Sequence, residues 1–203
     1  MAKIHIVGGP GSGKTTLAQD LSSRFHVPHY DLDKVNWEKE NVIAIAEQPA
    51  WVTEGIYLIW TEPMLYHADC IVLLEISWPV AALRILHRHI SKSLRGTNPY
   101  HGINGVKALF KLLTDTRSYL LNEESSDIPT VDSMQTFFEK YRDISEPPTE
   151  EFVQMFFEKY QDISEPPTAE FVRIYLEKYK EKVFFVRNSS DRERLLELLT
   201  RHR

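Results

Sequence analysis

The chain of 203 residues is 42% hydrophobic and 26% charged, which is the composition of one soluble globular domain and excludes a disordered or fibrous protein. It contains one cysteine, Cys70, so no internal disulfide can form. No apolar run approaches the roughly 20 residues that cross a bilayer, and residues 1–7 lack the apolar stretch of a secretory signal. We therefore expect a single cytoplasmic domain over residues 1–203 that makes no contact with a membrane.

The net charge of −5 is unevenly distributed along the chain. Residues 123–181 carry a net charge of −9, whereas the rest of the chain carries +4. Residues 84–117 contain seven Lys or Arg, three His and one carboxylate. This basic stretch either faces phosphate groups or forms a solvated helix surface.

Strands and helices are predicted to alternate in most of the chain. A helix is predicted over residues 15–25, where apolar residues recur at helical spacing, and another after residue 189. Short β-rich or continuously apolar runs predict five strands, at residues 3–7, 27–31, 49–55, 70–76 and 183–187. This alternation indicates an α/β fold with a parallel sheet of about five strands and helices on both faces.

A 19-residue repeat interrupts this alternation. Residues 127–181 hold three copies, in which FFEKY begins at residues 137 and 156, YLEKY begins at residue 175, and a Pro-Thr pair precedes each copy. The threonine suits a helix N-cap, and the apolar residues behind it fall on one face. We predict short amphipathic helices inserted before the last strand, which either pack on the domain and on each other or bind a protein partner or a second chain.

A glycine-rich loop follows the first predicted strand, and it matches the pattern Gly-x-x-x-x-Gly-Lys-Thr completely. Glycines let backbone N–H groups turn toward phosphate oxygens, and the helix behind them adds the positive end of its dipole. Lys14 is predicted to bridge β- and γ-phosphates and Thr15 to bind Mg²⁺. The loop therefore predicts a site for ATP and Mg²⁺, formed by Gly8, Gly9, Pro10, Gly11, Ser12, Gly13, Lys14, Thr15 and Thr16.

With this loop, the chain resembles the adenylate-kinase-like small P-loop kinases, and most closely the topology modulation protein branch, over about residues 1–121 and 170–203. The resemblance implies a three-layer P-loop kinase fold. In YDLDKVNW, residues 30–37, it implies that Asp31 contacts Mg²⁺ and that Asp33 orients or deprotonates the acceptor hydroxyl; a surface turn is the alternative. In WVTEGIY, residues 51–57, it implies that Glu54 supplies the Walker B carboxylate, unless Glu54 only caps the next turn.

The segment ISWPVAALRILHR, residues 76–88, resembles the helix that leads into the lid of these kinases. The resemblance implies a lid-like segment over residues 84–121, in which Arg84 and Arg88 reach the phosphates. Their spacing of four places them on one helix face. It also implies that Arg187 lies where the adenine base packs. The buried side of the helix is predicted to consist of Leu83, Leu86, Ile90 and Leu94.

These residues predict a kinase that moves the γ-phosphoryl group of MgATP to a small hydroxyl-bearing metabolite, nucleoside or nucleotide. Two carboxylates, Asp31 and Asp33, favour a hydroxyl over a phosphate as acceptor because they would repel an anion. One alternative is a nucleotide-gated binding protein with weak ATPase activity, whose repeat helices bind a partner. A DNA-associated ATPase acting through residues 84–117 is the least favoured, since the net charge is negative and no recognised nucleic-acid module is present.

Overall fold

A computed structural model describes residues 2–34, 39–58, 61–99, 102–122 and 168–201, together with the single residues 136, 140, 149 and 151. Within these ranges no helix has the length and apolar character needed to span a membrane. The elements in chain order are β1 (Lys3–Val7), α1 (Lys14–Phe25), β2 (His29–Asp31), α2 (Lys39–Glu47), β3 (Trp51–Gly55), α3 (Glu62–His67), β4 (Cys70–Leu74), α4 (Trp78–Leu94), α5 (Gly102–Leu121), α6 (Ala169–Leu176), a 3-10 helix (Glu177–Lys182), β5 (Val183–Val186) and α7 (Ser189–Arg201).

All five strands are parallel and form one sheet with the order β2-β3-β1-β4-β5. The central strand is β1, where Ile6 pairs with Glu54 of β3 and with Val72 of β4. Asp31 of β2 also pairs with Glu54. Because the strands are parallel, their carboxyl ends and the loops that follow them meet at one edge of the sheet.

Helices cover both faces of the sheet. On one face, Ile4 and Ile6 of β1 pack with Leu17 and Leu21 of α1 and with Leu195 of α7. The second face carries a separate cluster with contributions from α2, α3 and α6, which includes Val7, Val42, Trp51, Met64, Phe171 and Val172. The side chains of β1 thus alternate between two apolar clusters, as in a strand that is buried on both sides. This arrangement confirms the predicted three-layer α/β class.

The five predicted strands are confirmed: β1 has the predicted ends, and each of the other four differs at one end by one or two residues. The prediction began β2 at residue 27, but α1 ends at Phe25 and is capped by His26, which has a left-handed φ of 56°. The N–H of Val27 still donates to the carbonyl of Ser22 (3.2 Å), so the chain leaves the helix too late to start a strand before His29. The structure also begins β3 at Trp51 and ends β4 and β5 earlier than predicted, at residues 74 and 186.

The third copy of the 19-residue repeat is part of the hydrophobic core. As predicted, Thr168 caps its helix, because its hydroxyl accepts a hydrogen bond from the N–H of Phe171 (3.1 Å). The side chains that α6 and the following 3-10 helix bury are Phe171, Val172, Tyr175, Leu176 and Tyr179. Apart from the four single residues given above, the first two copies lie outside the described residues.

A buried carboxylate on α3 holds the third copy in place. Glu62 is 1% exposed and accepts hydrogen bonds from the hydroxyls of Tyr175 (2.6 Å) and Tyr179 (2.5 Å). The ammonium of Lys178 donates to both of its oxygens (3.1 and 3.2 Å) and lies 3.9 Å from the centre of the Tyr175 ring. Charge-assisted hydrogen bonds therefore add to the apolar packing that seats α6.

One prediction about α4 is wrong. The four apolar residues expected on its buried side are exposed to 68%, 42%, 48% and 84%, in the order Leu83, Leu86, Ile90 and Leu94. The helix instead buries Ala81 and Ile85, which lie against Gly11 of the glycine-rich loop. A helix can approach a backbone loop this closely only through a narrow face with a small residue, so the wide apolar face is left toward solvent.

Candidate functional site

The glycine-rich loop connects the carboxyl end of β1 to the first turn of α1. Gly11 and Gly13 have left-handed φ angles of 76° and 94°, which glycine adopts without strain. The N–H of Ser12 donates to the carbonyl of Gly9 (3.2 Å) and tightens the turn. The first turn of α1 contains no acidic residue, and no side chain caps its N-terminus. The amides at this end of the helix are therefore suited to an anion.

Two elements press against the loop and leave no room for side chains. A Cβ atom on Gly9 would lie 2.5 Å from the ring of Tyr119 on α5, and one on Gly11 would lie 3.0 Å from the carbonyl oxygen of Ala81 on α4. Arg84 of α4 donates through Nη1 to the carbonyl oxygens of Ser12 (3.0 Å) and Gly11 (3.3 Å). The loop is thus held by its glycines and by an arginine that binds its carbonyl side.

A buried carboxylate lies beside the first residues of α1. Glu54, at the end of β3, is 0% exposed, and within the described residues neither of its carboxylate oxygens has a hydrogen-bond partner. His29 Nε2 lies 3.5 Å from Oε1. Burial is the main reason why the pKa of Glu54 is raised, and the charge of Asp31 acts in the same direction. The Thr15 hydroxyl, the Lys14 ammonium and His29 oppose the rise, so Lys14 and Thr15 lie close to this carboxylate.

The predicted acceptor-side carboxylates lie in a turn directly after β2. Asp31 Oδ1 accepts a hydrogen bond from the N–H of Asp33 (3.1 Å), and Oδ2 pairs with Lys34 Nζ (2.5 Å). Burial acts to raise the pKa of Asp31, but these bonds and the charges of Lys34 and Lys14 outweigh it, so the net shift is downward. Asp33 is exposed. Its charge adds to burial in raising the pKa of Tyr57, which places the Asp33 carboxylate near that phenol.

The oxygen atoms at this edge of the sheet fit a magnesium ion. Mg²⁺ binds one or two carboxylates and completes its shell with water and substrate phosphates. The buried, unpartnered oxygens of Glu54, the hydroxyl of Thr15 and the ionised Asp31 are ligands of this kind. In the described parts of the chain, no group of three or more His, Cys, Asp or Glu could hold a metal ion without further ligands. A metal at this site would therefore depend on ligands from a bound nucleotide.

The structure does not bring all the predicted arginines to the loop. Arg84 contacts the loop carbonyls, as described above. Arg88 lies one turn further along α4 and is exposed. Its positive charge acts to lower the pKa of Lys34, whereas the bond between Lys34 and Asp31 raises it. Arg187 follows β5 and donates through Nε to Glu75 (2.7 Å), while its guanidinium lies 5.0 Å from the centre of the Phe185 ring.

Glu75 and Arg173 are candidate site residues that the sequence analysis missed. Glu75 follows β4 and pairs with two arginines, Arg187 and Arg173, the latter through Nε (3.0 Å) and Nη2 (2.6 Å). Although burial acts to raise the pKa of Glu75, these arginines lower it overall. A signal was present in the repeat, since Gln135 and Gln154 occupy the position of Arg173 in the first two copies. An arginine that appears only in the core copy marks a specific contact.

Comparisons with known proteins give no family for this chain. No protein-family model matches it, and no curated protein matches it either. Three solved structures are similar in part. They are a shikimate kinase from Acinetobacter baumannii in complex with shikimate (18% identity, TM-score 0.34, 68% of this chain and 92% of that chain), a shikimate kinase from Bacteroides thetaiotaomicron (14%, 0.32, 79% and 96%) and a gluconokinase from Sinorhizobium meliloti 1021 (14%, 0.35, 88% and 95%). None of the three is a topology modulation protein, so that part of the resemblance stays a prediction.

Proposed function

We propose that this protein is an ATP-dependent phosphotransferase that moves the γ-phosphoryl group of MgATP to a hydroxyl group of a small metabolite. The observation that carries the proposal is the convergence of Lys14 and Thr15, at the start of α1, with the buried and unpartnered carboxylate of Glu54. A glycine-rich loop alone fits any phosphate. A loop lysine, a hydroxyl and a buried carboxylate together fit a nucleotide with its metal ion.

The donor side of the reaction is assigned to the loop and its lysine. The loop amides and the N-terminus of α1 bind the phosphate chain, and Lys14 neutralises charge on the β- and γ-phosphates. Thr15, Glu54 and Asp31 would hold Mg²⁺, which when bound neutralises charge on the phosphate oxygens. Arg84 fixes the loop through its carbonyl oxygens, and Arg88 lies on the same face of α4, from which a guanidinium can reach the transferring group.

The acceptor side is assigned to the turn after β2. Asp33 is the exposed carboxylate next to Asp31, and we assign to it the acceptance of a proton from an acceptor hydroxyl. The acceptor is a neutral polyol or nucleoside rather than a phosphorylated compound, because two carboxylates within one turn repel an anion. Lys34 is already paired with Asp31 and compensates only one of these charges.

The proposal is tested by measuring ADP formation from MgATP with a panel of polyols, sugars, nucleosides and nucleotides. We expect one class of hydroxyl compound to accelerate ADP formation and to appear as its phosphate ester. Lys14→Ala should lower that rate by about 10²–10³, as the loss of one preorganised charge-stabilising donor does. The matched control is Lys111→Ala, which removes an exposed lysine on α5 that pairs only with Asp115 four residues away among the described residues.

Two results would contradict the proposal. Wild-type turnover by Lys14→Ala would show that the loop lysine is not in the donor site. Slow ATP hydrolysis that no acceptor accelerates would instead favour the nucleotide-gated binding protein. A partner protein whose binding requires ATP and residues 131–168 would then be the next observation to seek.

A further inference from the structure

Glu75 joins two arginines that belong to different elements. It follows β4, and its Oε1 accepts hydrogen bonds from Nε (3.0 Å) and Nη2 (2.6 Å) of Arg173 on α6. Its Oε2 accepts a hydrogen bond from Nε of Arg187 (2.7 Å), which follows β5. A single carboxylate balances only one of the two positive charges, so the group keeps an excess of positive charge.

The stability of the fold does not account for this arrangement. The side chains of Arg173 and Arg187 are each 59% exposed, and ion pairs of exposed arginines contribute little to stability. Helix α6 is already seated by its apolar side chains and by the hydrogen bonds to Glu62. A structural role therefore explains little of this cluster.

The guanidinium of Arg187 is held in place from two directions. Glu75 fixes its Nε edge, and its Cζ lies over the ring of Phe185, 5.0 Å from the ring centre. Among the described residues, no group accepts a hydrogen bond from its terminal nitrogens Nη1 and Nη2. A planar guanidinium that lies over an aromatic ring can take a second planar ring, such as a nucleotide base, on its exposed face.

Arg187 lies at the edge of the sheet that carries the glycine-rich loop. In the order of the sheet β5 is two strands away from β1, which places Arg187 about 10 Å from the loop. Glu54 and Asp31, which we assign to the metal, lie on β3 and β2, on the opposite side of β1. A nucleotide whose terminal phosphates face Glu54 has its nucleoside on the side of β4 and β5.

Tyr119 connects the cluster to the loop. Its ring lies so close to Gly9 that a Cβ atom on this glycine would be 2.5 Å away. Burial raises the pKa of Tyr119, and the charge of Glu75 acts in the same direction, whereas the charge of Arg173 opposes it. The charges of the cluster therefore act at the wall of the loop.

Arg173 distinguishes the third repeat copy from the other two. The residue at its position is Gln135 in the first copy and Gln154 in the second. A glutamine is neutral and donates more weakly to a carboxylate than a guanidinium does. Replacing Arg173 with glutamine therefore tests the cluster while the apolar face of α6 is left unchanged.

We propose that Glu75 is a positioning residue of the nucleotide site: it holds the guanidinium of Arg187 against the base of the nucleotide, and Arg173 holds Glu75 in turn. Arg187 is the residue that the resemblance puts beside the base, whereas the roles of Glu75 and Arg173 go beyond it. The inference rests on the proposed function, because it requires a nucleotide in the loop. It links the third repeat copy to nucleotide binding.

The test compares two ligands by isothermal titration calorimetry on the full-length protein. MgATP carries a base, whereas magnesium tripolyphosphate carries the same number of phosphates without one. We expect Glu75→Gln to weaken MgATP binding by about tenfold and to change tripolyphosphate binding by less than about twofold. Arg173→Gln should give the same difference between the ligands with a smaller loss, and it keeps the comparison possible if Glu75→Gln does not fold.

A double variant tests whether Glu75 acts through Arg187. Arg187→Ala should weaken MgATP binding by about tenfold, and adding Glu75→Gln to it should cause no further loss, because the effects of coupled residues are not additive. The matched control is Arg24→Gln, which removes an exposed arginine that pairs with Asp20 at the far end of α1. It should leave the affinity for both ligands unchanged. We expect each variant to keep Tm within about 4 °C of the wild type.

The outcomes separate this inference from the proposed function. A wild-type protein that binds neither ligand would contradict the proposed function and this inference with it. If the wild type binds both ligands, equal losses for MgATP and tripolyphosphate in Glu75→Gln would overturn the positioning role alone, since Glu75 would then act on the phosphates or on the fold. So would wild-type affinity of that variant for MgATP, or a further loss when Glu75→Gln is added to Arg187→Ala.

Discussion

Tyr175→Phe tests whether the third repeat copy is held by its hydrogen bond to Glu62. The Tyr175 hydroxyl lies 2.6 Å from a carboxylate that is 1% exposed, a distance typical of a charge-assisted O–H···O⁻ bond. Hydrogen bonds to charged groups contribute about 1.5–3 kcal/mol. At this chain length each kcal/mol changes Tm by about 2–4 °C, so we expect Tyr175→Phe to lower Tm by roughly 3–12 °C.

The matched control is Tyr30→Phe. Its hydroxyl donates to the neutral amide oxygen of Gln48 (2.9 Å), and such a bond contributes about 0.5–1.5 kcal/mol. Urea unfolding followed by tryptophan fluorescence gives the free energy of unfolding of both variants under the same conditions. A cost for Tyr175→Phe no greater than that for Tyr30→Phe would refute the charge-assisted bond. The first two copies have Phe at this position. The same measurement therefore estimates how much the Tyr175 hydroxyl favours the third copy over the other two in contact with Glu62.

Three further predictions concern the loop and the sheet. Glu54→Gln removes a buried unpartnered charge, so we expect Tm without ligand to rise by about 2–4 °C, which corresponds to about 1 kcal/mol. We also expect the variant to lose the Tm increase that MgATP gives the wild type. A lower Tm without ligand would contradict this prediction. Gly11→Ala introduces a Cβ atom at a residue with a φ of 76°, 3.0 Å from the carbonyl oxygen of Ala81. We expect it to lower the free energy of unfolding, measured in urea, by about 1–2 kcal/mol or more. An unchanged unfolding midpoint would show that the loop is not constrained at this position. Burial lowers the pKa of His5 to about 3. Below pH 6.5 the His5 side chain is therefore protonated in the unfolded chain, whereas it stays neutral in the folded chain. We therefore expect the free energy of unfolding to fall by about 2 kcal/mol from this group between pH 7 and pH 5, and expect His5→Gln to flatten that slope; equal slopes in both proteins would exclude His5 as the cause.

The sheet and the phosphate-binding loop could be predicted because both are local in sequence. Residues 3–7 are β-rich and residues 70–74 are continuously apolar, which is typical of short buried strands, and the loop pattern has fixed spacing between β1 and α1. Contacts between distant residues could not be predicted in this way. Arg173 and Glu75 are 98 residues apart in the chain, and neither lies in a recognised motif.

The apolar row of α4 shows a different limit of sequence analysis. The spacing of Leu83, Leu86, Ile90 and Leu94 correctly indicates an amphipathic helix, but periodicity does not say which element covers the apolar face. In the described structure α4 instead buries the face that carries Ala81 and Ile85, because the glycine-rich loop packs closely against that face. The position of the apolar row is thus decided by the packing requirement of another segment, which the helix's own sequence does not contain.

Two buried glutamates show why Glu54 is the stronger candidate for function. Glu62 is 1% exposed and is satisfied by two phenols and an ammonium, as expected for a carboxylate that stabilises the fold. Glu54 is 0% exposed, yet no hydrogen bond to its oxygens is present within the described residues. Burying a carboxylate without such bonds is costly. Since the same chain shows how a structural carboxylate is satisfied, the unpartnered oxygens of Glu54 support the proposal that a cation binds there together with the phosphates of a nucleotide.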